Sequence, residues 1–342
     1  MGRLQELLGI EHPVVQGPFG GGLSSVALAA AVSEGGGLGS YGGHILGADE
    51  LVSLVGELKA ATGRPFAVNL WVPLAEEEGL RAVPADVERL RPYYEELGVE
   101  PPARAAHPGF AEQAEALLAA APPVISFVMG VPPAWVLEGA RRAGVVTIGT
   151  ATTVEEAVAL REAGLDAVVA SGSDAGGHRG AFLRPVRESL VGTFSLVPQV
   201  ADAVDIPVIA AGGVADRRGV RAALALGADG VQVGTAFLAT EESGASRTHK
   251  DALLGPDARV TVLTRLFSGR TARAIPNRFL REMEPHEQDV PPYPVQNALM
   301  LPIRREAAAR GLPGLVNLWA GQAAPLARAA RAADVLAALT TD

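Results

Sequence analysis

The chain alternates short apolar runs with longer segments in which apolar residues recur every three or four positions. Runs such as Phe66–Trp71, Val124–Val128 and Val208–Ala211 are typical of strands that are buried on both faces of a parallel sheet. The intervening segments, for example Ala48–Ala61 and Val154–Ala163, have helical periodicity and end near a glycine. The pattern predicts strands at residues 14–17, 37–41, 66–71, 124–128, 145–148, 167–170, 208–211 and 230–233.

Eight strands separated by helices predict the α/β class and, within it, a (β/α)8 TIM barrel. An open doubly wound sheet is the alternative, but its usual strand number is lower. Residues 163–167 and 226–230 repeat one order of helix end, glycine, aspartate and next strand. This repetition favours the barrel, which is built from successive βα units.

Two segments exceed what a barrel requires. Residues 74–110 follow the third predicted strand, are rich in Glu, Arg and Pro, and predict a helical insertion. Residues 238–342 follow the eighth strand and predict a C-terminal helical cap packed on the barrel, with an exposed loop at 282–294. We therefore expect a barrel over residues 1–237, including the insertion at 74–110, and a cap or substrate segment over residues 238–342.

Composition narrows the function classes. The absence of cysteine excludes disulfides, thiolate catalysis and cysteine-bound metals, and no His/Asp/Glu spacing indicates a metal site. A net charge of −9 without a dense Lys/Arg cluster argues against a nucleic-acid partner. No apolar run reaches the ~18 residues of a membrane span, and no signal peptide is recognisable at the N-terminus. We therefore expect a cytoplasmic protein without a membrane partner.

Glycine-rich loops follow the last three predicted strands. Residues 171–180, Ser-Gly-Ser-Asp-Ala-Gly-Gly-His-Arg-Gly, place His178 among glycines that let the backbone approach a flat ligand. Gly212-Gly213 and Gly234-Thr235 end the next two strands, where a TIM barrel frequently binds phosphate. Gln16 and Asn69 end the first and third strands, where their amides could contact the edge of a heteroaromatic ring.

Taken in order, these motifs resemble the nitronate monooxygenase family, formerly called 2-nitropropane dioxygenases, which are FMN-dependent TIM barrels without a metal requirement. The resemblance covers nearly the whole chain. It rests on Gln16-Gly17-Pro18, Asn69, Asp174–Gly180, Ala211-Gly212-Gly213, Gln232–Thr235 and Tyr293–Leu299. The motifs discriminate less well among members of the superfamily, which also includes flavin-dependent enoyl-acyl-carrier-protein reductases and NADH:quinone reductases.

The resemblance implies FMN as cofactor and His178 as catalytic base. The implied FMN-binding residues are Gln16, Gly17, Pro18, Phe19, Asn69, Ser171, Gly176, Gly177, Ala211, Gly212, Gly213, Gln232, Val233, Gly234 and Thr235. Ser171 departs from several relatives that carry Gln at this position. The substrate-side candidates are Tyr41, His44, Phe127, Tyr293 and Gln296. The remaining histidines, His12, His107, His249 and His286, are expected at the surface or in loops.

The implied reaction is the oxidation of alkyl nitronates by dioxygen to carbonyl compounds and nitrite. Nitroalkanes would enter the same reaction after His178 removes the α-proton. Two alternatives stay open: an NAD(P)H-dependent FMN reductase of quinones or enoyl-thioesters, and a non-catalytic flavin-binding protein. A homo-oligomer is one expectation for the oligomeric state.

Overall fold

The computed structural model describes residues 2–74, 77, 79–102 and 108–341. Its strands are β1 (Val14–Gln16), β2 (Gly39–Gly42), β3 (Phe66–Trp71), β4 (Val124–Val128), β5 (Val146–Ala151), β6 (Ala167–Ser171), β7 (Gly177–His178), β8 (Val208–Ala211), β9 (Gly230–Val233), β10 (Val262–Thr264) and β11 (Ala272–Ala274). Its α-helices are α1 (Arg3–Leu8), α2 (Val26–Glu34), α3 (Ala48–Ala61), α4 (Pro84–Leu97), α5 (Phe110–Ala120), α6 (Ala134–Ala143), α7 (Val154–Ala163), α8 (Thr193–Ala203), α9 (Arg217–Ala225), α10 (Thr235–Leu238), α11 (Arg247–Leu254), α12 (Arg278–Met283), α13 (Val295–Ala309) and α14 (Ala332–Thr340).

Eight of the strands form one parallel sheet in the order β1-β9-β8-β6-β5-β4-β3-β2. A parallel bridge between Val15 and Leu38 joins its two ends, and the Leu38 amide donates to the Val14 carbonyl at 2.9 Å. The sheet therefore closes as the predicted (β/α)8 TIM barrel, and β3, β4, β8 and β9 have the predicted bounds. No helix within the described ranges is both long enough and apolar enough to cross a bilayer.

The repeated Gly-x-Asp order has a structural reason. Asp166 precedes β6, and its Oδ2 accepts hydrogen bonds from the Thr147 amide at 2.7 Å and the Thr147 hydroxyl at 2.8 Å. Asp229 precedes β9, and its Oδ2 accepts from the Val208 amide at 2.9 Å. Each aspartate thus ties the start of one strand to its neighbour. Inside the barrel, small and branched side chains such as Ala67 fill the interior.

The insertion and most of the C-terminal segment share a second hydrophobic core. Helix α4 contributes Tyr94, whose hydroxyl donates to the Leu299 carbonyl of α13 at 2.7 Å. Helix α4 therefore packs on α13 of the C-terminal segment, whereas residues 75, 76, 78 and 103–107, including His107, are outside the described ranges. The last helix returns to the barrel, because Leu336 and Leu339 of α14 belong to the same core as α2. The expected exposed loop at 282–294 is exposed mainly over 284–289, while Tyr293 is buried.

A small antiparallel sheet, in the order β10-β11-β7, was not predicted. His178 of β7 pairs with Ala272 of β11, so the loop after β6 is hydrogen-bonded to the C-terminal segment. Just beyond β7, on the same side of β11, an antiparallel bridge joins Ala274 to Trp319, while β10 pairs with the opposite side. The chain around Trp319 therefore lies next to the loop that contains His178.

His249 is buried on α11, which corrects the expectation of a surface histidine. Its Nε2 lies 3.0 Å from the Trp319 carbonyl oxygen, which can only accept, so Nε2 carries the proton. Burial lowers the pKa of His249 to about 4. The neutral imidazole therefore holds the Trp319 segment without introducing a charge into the second core.

Glu156, at the start of α7, organises the chain beyond His178. Its Oε2 accepts from the Thr152 amide and hydroxyl, each at 2.7 Å. Its Oε1 accepts from the Phe182 and Leu183 amides at 2.6 and 3.1 Å. The side chain is fully buried, so these four donors share one carboxylate.

Glu156→Gln should destabilise the protein by about 2–3 kcal/mol, because an amide has only one acceptor oxygen and turns a donor toward donors. Urea unfolding followed by circular dichroism measures the change. Glu155→Gln is the matched control, since Glu155 forms an exposed ion pair with Arg184, and it should cost under about 1 kcal/mol. Equal losses in the two variants would contradict the role assigned to Glu156.

His249→Gln should flatten the acid side of the stability profile. In wild type, the unfolded chain binds a proton at His249 near pH 6.5, but the folded protein does so only near pH 4. Stability from this group is therefore complete above pH 6.5 and falls by about 3 kcal/mol as the pH drops to about 4. Glutamine can donate to Trp319 without titrating. Urea unfolding of both proteins from pH 8 to pH 4.5 measures this. The difference in the free energy of unfolding at pH 8 is the direct effect of the substitution and is subtracted at every pH. Parallel profiles of wild type and variant would contradict the prediction.

Candidate active site

The glycine loops meet at the carboxyl ends of three neighbouring strands. Ser171 of β6 pairs with Ala211 of β8, which in turn pairs with Gln232 of β9. Gly212 has φ +108°, and an added Cβ there would lie 2.8 Å from the Ala175 amide nitrogen and from the Thr193 hydroxyl. The loop after β6 therefore packs directly on the loop after β8.

Three glycines on these loops present open faces. A Cβ on Gly177 would meet no described atom within 4 Å, and one on Gly213 or Gly234 would meet none within 3.6 Å. The C-terminal segment borders this surface, because the Gly321 amide donates to the Thr235 hydroxyl at 3.0 Å. Backbone exposed on three adjacent loops can receive the phosphate of a nucleotide.

The sequence-predicted cofactor residues differ in their access to this surface. Gly176 and Gly213 are exposed; Pro18, Phe19, Gly177, Gly212, Gln232, Gly234 and Thr235 are partly exposed; Gln16, Gly17, Asn69, Ser171, Ala211 and Val233 are buried. The Val233 side chain faces the helices, and its carbonyl accepts from the Gly17 amide at 2.8 Å. A Cβ on Gly17 would lie 3.3 Å from the Gly234 Cα and 3.6 Å from the Phe19 ring, so β1 and β9 end together.

The buried amides at the first and third strand ends are already engaged. Gln16 Oε1 accepts from the Ser40 amide at 2.8 Å, which braces the junction of β1 and β2. Asn69 Nδ2 donates to the Ser126 carbonyl at 3.1 Å and the Ser126 hydroxyl at 3.0 Å. Below the loop after β6, Arg179 donates to the Ser171 carbonyl at 2.7 Å. These contacts hold the strand ends, and any ligand contact is additional to them.

Aromatic rings surround His178. The His44 ring stacks on Trp71 with centroids 3.8 Å apart and planes 4° apart. Trp71 meets His178 edge-on at 4.8 Å and Tyr293 at 5.3 Å, while Trp319 meets His178 at 5.2 Å. The structure thus brings the predicted residues His44, His178 and Tyr293 together.

Ser268 orients His178. Its hydroxyl oxygen lies 2.8 Å from His178 Nε2, donates to the Arg270 carbonyl at 3.0 Å and accepts from the Arg270 amide at 3.3 Å. Because the single hydroxyl proton is given to the carbonyl, we assign the Nε2–H tautomer to His178. Nδ1 is then the ring atom that can accept a proton.

The electrostatic environment keeps His178 neutral. Desolvation lowers the pKa of His178 to about 3, and the positive charges of Arg270 and Arg304 act in the same direction. Arg270 and Glu77 form a buried ion pair, with both side chains less than a tenth exposed. The Arg270 guanidinium carbon lies 4.7 Å from the Tyr293 centroid and 5.2 Å from that of Trp71. A neutral imidazole therefore lies near two guanidinium groups, one of which is paired with Glu77.

Three predicted substrate-side residues are not brought to this cluster. Phe127 is fully buried in the core between sheet and helices. Tyr41 faces α3, where burial and the charges of Glu57 and Glu50 raise its pKa. Gln296 is buried in the second core and donates to the Leu266 carbonyl at 2.6 Å. Successive side chains of a strand point to opposite faces, and this alternation directs Phe127 away from the barrel interior.

Several residues of the cluster were missed from the sequence: Glu77, Ser268, Arg270 and Trp319. They lie far from His178 in the chain and reach it through the β7–β11 pairing and the second core. No motif or regular spacing in the sequence distinguishes these four residues from others of the same type. Among the described residues, no three His, Asp or Glu side chains gather as metal ligands.

Comparison with known proteins gives a consistent result. The model of the nitronate monooxygenase family matches residues 2–342. A probable nitronate monooxygenase from Staphylococcus aureus strain Newman is 42% identical over 328 residues, covering 95% of this chain and 92% of the relative. The solved nitroalkane oxidase from Streptomyces ansochromogenes is 42% identical, with a TM-score of 0.91 over 98% of this chain and 96% of that one. FabK from Thermotoga maritima is 30% identical, with a TM-score of 0.78 over 99% and 94% of the two chains. The chain therefore belongs to the nitronate monooxygenase family and is an oxidoreductase.

Proposed function

We propose that the enzyme uses bound FMN to oxidise alkyl nitronates with dioxygen to carbonyl compounds and nitrite. Membership of the nitronate monooxygenase family supports nitronate as the substrate class. The relative named nitroalkane oxidase supports a nitro group or its conjugate base as the reacting group. The choice between these two forms follows from the site itself.

The loop geometry fits FMN. Gly212, Gly213, Gly234 and Thr235 would hold the phosphate, because their loops are adjacent and present backbone at an accessible surface. Gly17 and Phe19, which meet Gly234 at the same rim, would border the ring system. When bound, FMN supplies the electron-transfer chemistry that no side chain in this cysteine-free site can provide.

The placement of Arg270 against Trp71, which also contacts His178, is the observation that carries the preference for nitronate. A nitronate is already deprotonated, so it needs no base, and the positive charges of Arg270 and Arg304 attract it. A neutral nitroalkane must first give its α-proton to Nδ1 of His178. With a pKa of about 3, this imidazole is a weak base at neutral pH. We therefore expect nitroalkanes to be the slower substrates.

Gly213→Ala should weaken FMN binding about tenfold, because the new methyl group stands on the open backbone face offered to the phosphate. Gly144→Ala is the matched control: Gly144 has φ +68° against +73° for Gly213, also has an open face, and ends α6. Both substitutions should cost about 1 kcal/mol of stability through backbone strain. Titration of apoprotein with FMN, followed by flavin fluorescence, separates them. Equal FMN affinities would remove Gly213 from the phosphate site.

Anaerobic mixing with propane-2-nitronate, NADH and NADPH tests the reaction. We expect nitronate alone to change the flavin absorbance rapidly, and nitrite to form when oxygen is admitted.

In His178→Asn, oxidation of neutral 2-nitropropane should fall by about 10²-fold or more because the base is lost, and nitronate oxidation by less than about tenfold. Rapid bleaching by a nicotinamide would instead indicate a reductase. Lack of turnover despite stoichiometric FMN would indicate a binding protein, and equal losses on both substrates would show that His178 is not the base.

A further inference from the structure

Arg270 is the best-placed cation in the aromatic cluster. Its side chain is buried, and its guanidinium carbon lies within 5.2 Å of the centroids of both Trp71 and Tyr293. Its backbone amide shares the Ser268 hydroxyl with His178. Arg270 and His178 are thus fixed to one another through one serine and through the common neighbour Trp71.

The hydrogen bonds of Arg270 are incomplete. Nε and Nη2 both donate to the carboxylate of Glu77, whose side chain is also buried. Nη1 is buried as well, yet no oxygen of the described residues accepts a hydrogen bond from it. Nε and Nη2 form one edge of the planar group, so the donors of Nη1 point away from Glu77. An unpaired cationic donor inside a protein is costly, so Nη1 is a candidate for a ligand contact.

We propose that Nη1 of Arg270 donates to an oxygen of the bound nitronate, with Glu77 holding the guanidinium in place from the opposite edge. A nitronate is a planar anion with two oxygens on one atom, the geometry that guanidinium recognises best. Trp71 contacts both Arg270 and His178, so the guanidinium and the imidazole border the same ring. This assignment rests on the proposed function and specifies how the substrate is recognised.

Nitrate is a suitable probe, because it is a planar oxyanion that the enzyme cannot oxidise further. We would titrate the FMN-loaded enzyme with nitrate and follow flavin absorbance and tryptophan fluorescence. Arg270→Gln should weaken nitrate binding about tenfold or more. Arg305→Gln removes the same charge from an exposed position on α13 and should change the affinity by less than about twofold. An Arg270→Gln variant that holds FMN and binds nitrate within about twofold of wild type would overturn the assignment.

Glu77→Gln gives an independent test through the sign of its effect. Removing the carboxylate leaves the buried guanidinium without a counter-charge, so nitrate should bind about threefold or more tightly. If the ion pair were only a structural link between the third strand's loop and the C-terminal segment, Glu77→Gln and Arg270→Gln would both weaken binding. Opposite signs support the proposal, and equal signs overturn it. If Arg270→Gln fails to retain FMN, Glu77→Gln decides alone: tighter nitrate binding supports the proposal, and unchanged or weaker binding overturns it.

Failure of this inference is distinguishable from failure of the proposed function. Nitrate binding is measured without turnover, so opposite signs in a protein that does not oxidise propane-2-nitronate would overturn the proposed function alone. Intact nitronate oxidation with equal signs would overturn the Arg270 assignment alone. In active enzyme, Arg270→Gln should raise the KM for propane-2-nitronate about tenfold and change kcat less.

Discussion

The pairing of β7 with β11 is the constraint on which the active site depends. β7 is only two residues long, yet it carries His178 and takes its hydrogen-bond partners from the C-terminal segment. Ser268 and Arg270 lie just before β11, so the same pairing delivers the serine that orients the imidazole and the arginine beside it. A barrel loop and a distant segment therefore form one rigid unit, which neither could form alone.

The barrel could be predicted because its strands are buried on both faces. Such strands are continuous apolar runs, and β3, β4, β8 and β9 were predicted with their observed bounds. The glycine loops were equally visible, since close approach of backbone to backbone at Gly212 excludes any side chain. Local sequence thus determines the strands and their turns, together with the approximate position of His178 at a strand end.

Because both faces of these strands are buried, the sequence does not show which face each side chain points to. When both faces of a strand are apolar, no polar alternation shows which residues face the barrel, and Phe127 and Tyr41 were placed at the mouth although they face the helices. His249 was expected outside because its type is polar, but one hydrogen bond to Trp319 satisfies it in the second core. Arg270 and Glu77 are joined by tertiary packing across the chain, which no periodicity records.

The Glu77–Arg270 pair is difficult to explain by stability. A buried ion pair loses hydration on both partners, and apolar replacements of similar volume are often neutral or stabilising. Beside His178 the arginine also has a chemical cost, since its charge helps to lower the pKa of the imidazole and weakens it as a base. The lost hydration and the weakened base are both compatible with one class of substrate. A substrate that is already an anion binds better next to positive charge and needs no base. The arrangement that would make this site poor at deprotonating nitroalkanes is the arrangement that suits it to nitronates.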